Sequence, residues 1–107
     1  MKNHLQDVGF EFEIGSPIKI STVCRRIHRE LCISGLKSQI DMTVETPLPF
    51  NGEISTPVWP LATGIRKLKR IFKGFQSNGI VTNYSCGFHV NLSFRKKELN
   101  WMLDVGK

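Results

Sequence analysis

Hydrophobic and polar positions alternate most regularly near the C-terminal end of the chain. In Gly87-Phe88-His89-Val90-Asn91-Leu92-Ser93-Phe94, the residues Phe88, Val90, Leu92 and Phe94 fall on one side and His89, Asn91 and Ser93 on the other. That period of two is the signature of a half-buried strand. The same alternation in Gly9-Phe10-Glu11-Phe12-Glu13-Ile14 predicts a first strand from Asp7 to Gly15, broken by Ser16-Pro17. Between the two, the spacing becomes helical. Val23, Ile27 and Leu31 recur every four residues with Cys24 and Cys32 beside them, while Arg25, Arg26, Arg29 and Glu30 lie on the other side. Ser21 or Thr22 is the expected cap, and Gly35 the stop for a helix running to about Ser34. Ile40 to Glu45 alternates again until Pro47 and Pro49 end the run, and Asn51-Gly52 is a turn signal leading into Glu53-Ile54-Ser55-Thr56-Pro57, so a hairpin is predicted there. A second helix is expected from about Pro60 to Ser77, with Leu61, Ile65, Leu68, Phe72 and Phe75 as its apolar stripe and Asn78-Gly79 as its end. A third begins near Lys96, with Leu99, Met102 and Leu103 as its apolar edge.

This order predicts an α+β domain, an antiparallel or mixed sheet with helices on one face. The other face then carries Glu11, Glu13, Glu53, His89 and Asn91. At 107 residues the chain is one small domain, or part of a larger one, with its core from about residue 7 to 95. Forty per cent apolar residues, seven Phe and two Trp describe a globular chain. A formal charge of +6 and a pI near 9.6 favour anionic partners. No apolar run approaches the roughly 18 residues of a membrane span, and Met1 to Asp7 holds no hydrophobic block, so the expectation is a cytoplasmic protein without a signal peptide. Three cysteines without a CxxC pair make no disulfide framework. Cys24, His28 and Cys32 share a helical face, but i to i+8 spans about 12 Å, too far for two thiolates each about 2.3 Å from one zinc ion. The cysteines read as small apolar residues on a buried face.

The glutamates of the first strand carry the candidate chemistry. Glu11 and Glu13 point the same way, roughly 7 Å apart. Two like charges on a half-buried face repel, which raises the pKa of at least one, and a bound cation removes the penalty. A hard cation such as Mg²⁺ takes oxygen ligands at about 2.1 Å, and Glu53 supplies a third carboxylate from a neighbouring strand. His89 could ligate a second ion or donate to a phosphate oxygen. An E-x-E strand also occurs as a plain solvent-facing strand, and a lone histidine on a polar face is often only that.

Taken together, Asp7-Val8-Gly9-Phe10-Glu11-Phe12-Glu13, then Asn51-Gly52-Glu53-Ile54-Ser55-Thr56-Pro57, then Asn83-Tyr84-Ser85-Cys86-Gly87-Phe88-His89-Val90-Asn91 form a series that resembles the amidoligases, a branch of the glutamine synthetase-like carboxylate–amine ligases. That family shows a G-[FV]-E-x-E strand, a D-G-S followed by an E-[LIV]-[VS]-[ST]-P strand, and an S-C-G-[LF]-H-V strand. The likeness runs from about Asp7 to Phe94, and its S-C-G-F-H-V-N segment is the most specific. It implies a partial glutamine synthetase-like catalytic fold, with the sheet as one wall of an ATP-binding trough. There Mg²⁺ or Mn²⁺ bridges carboxylates and nucleotide phosphates, a substrate carboxylate takes the γ-phosphoryl group, and an amine displaces phosphate to give an amide. By the same resemblance Glu11, Glu13, Glu53 and His89 are metal residues, Gly87, His89 and Asn91 face the nucleotide, and Glu53 and His89 are catalytic. Asp41 stands where the family has the D-G-S aspartate, but Met42-Thr43 replaces its Gly-Ser. Family members also continue well past the H-V strand. The expectation is therefore about the first half of a catalytic module, not a complete ligase alone: a gene fragment, a split enzyme completed by a second polypeptide or a second copy, or a degenerate binding protein.

The alternative is a small basic protein that binds nucleic acid, or regulates, without catalysis. Arg66, Lys67, Lys69, Arg70 and Lys73, with Arg25, Arg26 and Arg29, would form its surface, although such charge is ordinarily simple solvation of a helix. Trp59 and Trp101 fit packing better than base stacking, and Ser85-Cys86 has no readable partner base.

Overall fold

The computed structural model describes residues 6–82 and 86–94. The elements are β1 (Gln6–Ser16), α1 (Ile20–Leu31), β2 (Lys37–Ile40), β3 (Phe50–Ser55), β4 (Trp59–Pro60), α2 (Leu61–Ser77) and β5 (Phe88–Phe94). They make an α+β fold with one five-stranded antiparallel sheet. β1 lies at its centre. β3 pairs with the second half of β1 and β4 with its beginning, β5 runs along the other side, and β2 adds outside β3. The Thr56 hydroxyl accepts a hydrogen bond from the Phe10 N–H at 2.9 Å and so carries the pairing past Pro57, which has no N–H of its own.

Val8, Phe10, Phe12 and Ile14 are buried on one side of β1, where Val23, Cys24 and Ile27 of α1 and Ile71 and Phe75 of α2 meet them. The apolar stripe of α2 is rotated from its predicted position. Gly64, Ile71, Gly74 and Phe75 are its buried residues, whereas Ile65 and Phe72 are nearly half exposed. The glycines explain the rotation: a Cβ at Gly64 would sit 2.3 Å from a Val8 methyl, and one at Gly74 would be 3.2 Å from both Ile27 and Leu31. The helix therefore seats its small residues against the sheet and α1. Spacing counts the large residues and overlooks them.

Other boundaries moved for similar reasons. Helix α1 starts at Ile20, not after Ser21 or Thr22, because the Lys19 carbonyl already accepts from the Thr22 and Val23 N–H groups. It stops at Leu31 with Cys32 in a left-handed conformation (φ 56°), three residues before Gly35. Gly35 instead takes φ 84° in the following loop, where its missing Cβ leaves room for Pro57. The predicted pairing of two extended segments is present, but its strands are Lys37–Ile40 and Phe50–Ser55. Asp41 to Thr43 turns instead of extending, since Asp41 Oδ1 accepts from both the N–H and the hydroxyl of Thr43. Asn51-Gly52 is not a turn. It lies inside β3, where a Cβ on Gly52 would come within 2.2 Å of the Gln39 carbonyl oxygen. β4 was not anticipated; in it Trp59 pairs with Val8 and lies under the Lys67 ammonium, 5.3 Å from the ring centre. The helix expected from about Lys96, Trp101, and the Asn83-Tyr84-Ser85 part of the motif lie outside the described residues. Among the described residues no helix is long and apolar enough to cross a membrane.

Phe12 is buried and touches the rings of Phe10, Phe72, Phe75 and Phe88, so Phe12→Ala is expected to cost about 3–5 kcal/mol. Ile40→Ala, at a position 78% exposed, should stay within about 0.5 kcal/mol. Urea unfolding checks both: the midpoint should fall sharply for the first variant and hold for the second, with the slope unchanged.

Candidate functional site

Because β1 is paired on both edges, its alternation propagates across the sheet. The side facing away from the helices receives Asp7, Glu11 and Glu13 from β1. Cross-strand register then builds two rows. In one, Gln39, Glu53 and Glu13 lie side by side; in the other, Lys37, Ser55, Glu11 and His89 do. Asn91 is on the same face, opposite Gly9. The residues of a row are about 5 Å apart, one strand spacing. The face predicted to hold Glu11, Glu13, Glu53, His89 and Asn91 is thus the face on which the sheet carries all five.

The carboxylates differ in their surroundings. Glu13 is clamped to the segment before β5: its N–H donates to the Gly87 carbonyl at 2.9 Å, and its Oε1 accepts from the Gly87 N–H at 2.7 Å. A Cβ at Gly87 would lie 3.1 Å from that oxygen. The close approach that a glycine permits here is therefore filled by the glutamate of the same site. Glu11 Oε1 is 3.6 Å from His89 Nδ1, an ion-pair distance when the imidazole is protonated, and too long for a neutral hydrogen bond. Glu53 is directly opposite Glu13. Partial burial, and next the charges of Glu11, Asp41 and Glu13, push its carboxyl above the usual range, with His89 acting in the other direction. Asp41, at the turn after β2, is held below the usual range by its two hydrogen bonds from Thr43. Asp41 thus spends one oxygen on its own turn.

In kind, three carboxylates and an imidazole on one open face suit a hard divalent cation. A bound cation would oppose the burial and the neighbouring charges that hold the Glu53 carboxyl above the usual range. As they stand, no three His, Cys, Asp or Glu side chains among the described residues converge tightly enough to grip an ion. Cys24 and Cys32 take no part. Burial pushes the Cys24 thiol up to about 11, which keeps it protonated, and Cys32 is exposed beyond the end of α1, contrary to the expectation of a buried position. Lys37, Gln39 and Ser55 also belong to the face but were missed. Lys37-Ser38-Gln39 is polar throughout, so no alternation marks it as a strand.

Glu53→Gln tests the repulsion. The raised carboxyl of the folded state binds its proton more firmly than in the unfolded chain, so the penalty is absent below the unfolded pKa and fully present above the folded one. At pH 7 the variant is expected to melt higher, by on the order of 2 °C given solvent screening; the gain should vanish below about pH 4, and high salt should shrink it without removing it, because salt screens the neighbouring charges and not the burial. Thermal denaturation at the two pH values measures it.

No protein-family model matches the chain, and neither a curated protein nor a solved structure does; what bears on function is the polar face itself.

Proposed function

We propose that the polar face binds Mg²⁺ or Mn²⁺ and, through it, the phosphates of ATP, as part of an amidoligase that joins a carboxylate to an amine. One observation carries this reading. Register brings Glu11, Glu13, Glu53 and His89 onto a single open surface while the helices occupy the other side of the sheet. An antiparallel sheet with one covered and one open polar side is also the coarse layout that a partial glutamine synthetase-like fold requires.

In this reading Glu11 and Glu53 offer both oxygens to the ion, and Glu13 offers the oxygen not held by Gly87. His89 donates to a phosphate oxygen, and the Gly87 backbone and Asn91 extend the nucleotide contact along β5. The cation supplies neutralisation of phosphate charge, which is most of what phosphoryl transfer asks of a protein beyond positioning. The chain's own contribution is to hold these groups on a rigid strand pair and to fix Glu13 through the Gly87 clamp. A second polypeptide or second copy completing the trough, with the carboxylate and amine substrates, belongs to the same proposal.

Titration calorimetry with Mn²⁺ and then ATP tests it. The wild type should bind Mn²⁺, and ATP only with Mn²⁺ present; bound metal should also raise the melting temperature. Glu11→Gln with Glu13→Gln should weaken the metal at least about tenfold, the loss of roughly 1.4 kcal/mol. Unchanged metal affinity in that double variant sinks the proposal.

A further inference from the structure

The helix layer is as one-sided in charge as the sheet is, with the opposite sign. Across α1 and α2 stand eight Lys and Arg against a single carboxylate, Glu30. On α2, Arg66, Lys69, Arg70 and Lys73 follow one another at three- and four-residue spacing and all are exposed. Arg25 and Arg29, exposed and one turn apart, make a shorter row on α1. The helices are joined side by side: Arg70 Nη2 donates to the Leu31 carbonyl at 2.7 Å, and Arg26 Nη1 donates to Asn78 Oδ1 at 3.1 Å.

Helix stability does not account for these rows. Neighbours of like charge at i+3 and i+4 are unfavourable, and alternating signs would solvate the surface equally well. Among the described residues the helical cations make one ion pair, Arg29 with Glu30 at 3.9 Å. They are not placed to complement the dipole of α2, whose last turn holds no basic residue. An extended anion resolves the repulsion along both rows at once.

We infer that the outer surface of α1 and α2 binds the phosphate backbone of nucleic acid without sequence preference, through Arg25, Arg29, Arg66, Lys69, Arg70 and Lys73. A membrane surface fits less well. A helix lying on lipid inserts an apolar side, and the large exposed apolar residues of α2, Ile65 and Phe72, are on its flank towards β5, where Phe72 meets the Phe88 ring at 5.8 Å. This inference is independent of the ligase reading, since the polar face is on the other side of the sheet.

Fluorescence anisotropy with a labelled 20-base-pair DNA duplex, in EDTA over a range of salt, provides the test. Six phosphate contacts predict log Kd rising with log salt at a slope of about 5. Arg66→Gln, Lys69→Gln and Lys73→Gln together should lower that slope by about 3 and weaken binding at least about tenfold at low salt. Arg70 is left in place because it ties the two helices, and circular dichroism confirms that the triple variant is folded. Lys37→Gln, which removes a cation from the opposite face, should change nothing. The inference is overturned by an unchanged slope in the triple variant, by an equal effect of Lys37→Gln, or by capture on phosphatidylserine vesicles without DNA binding.

Discussion

Phe12 holds the two halves of this molecule in register. Its ring lies within 6.2 Å of those of Phe10, Phe72, Phe75 and Phe88, which joins β1, α2 and β5 in one aromatic cluster. Its neighbours in sequence are Glu11 and Glu13, which a strand must turn to the opposite side. Burying Phe12 therefore decides where the glutamates go. A slip of one residue in β1 would put both carboxylates into the aromatic core, so the packing on one side enforces the chemistry on the other. β3 and β5 then add Glu53 and His89 without any further specification, because their own apolar residues, Ile54 and Phe88, are in phase with Phe12.

This coupling is why so much of the site could be read in the sequence. Wherever apolar and polar residues alternate over six or seven positions, as in β1 and β5, the faces were legible and the structure assigns the same residues to them. Legibility failed where a small residue decides the packing. Gly52 reads as a turn beside Asn51, yet it belongs to a strand because the Gln39 carbonyl needs its space. Gly64 and Gly74 contribute nothing to a hydrophobic stripe, yet they set the rotation of α2. Local hydrogen bonds were the other blind spot. The Asp41 carboxylate closes a turn in a segment whose alternation predicted a strand, and Lys37 and Gln39 were overlooked as a result.

Within the site, equal residue types have unequal freedom. Among the described residues, Glu13 is fixed by a backbone amide, Glu11 faces an imidazole at 3.6 Å, and Glu53 is partly buried beside carboxylates that repel it. Three like residues on one face therefore differ in how firmly they are held. It also gives Gly87 a role that its lack of a side chain alone would not suggest, as the anchor of the Glu13 carboxylate.

The separation of charge between the two layers has a consequence at distances beyond any contact. Among the described residues, carboxylates predominate on the sheet side and guanidinium and ammonium groups on the helix side, so the two layers differ in the sign of their charge. A field of that kind attracts small cations to one side and polyanions to the other before contact. Within roughly a Debye length of the surface, the molecule sorts its visitors by sign.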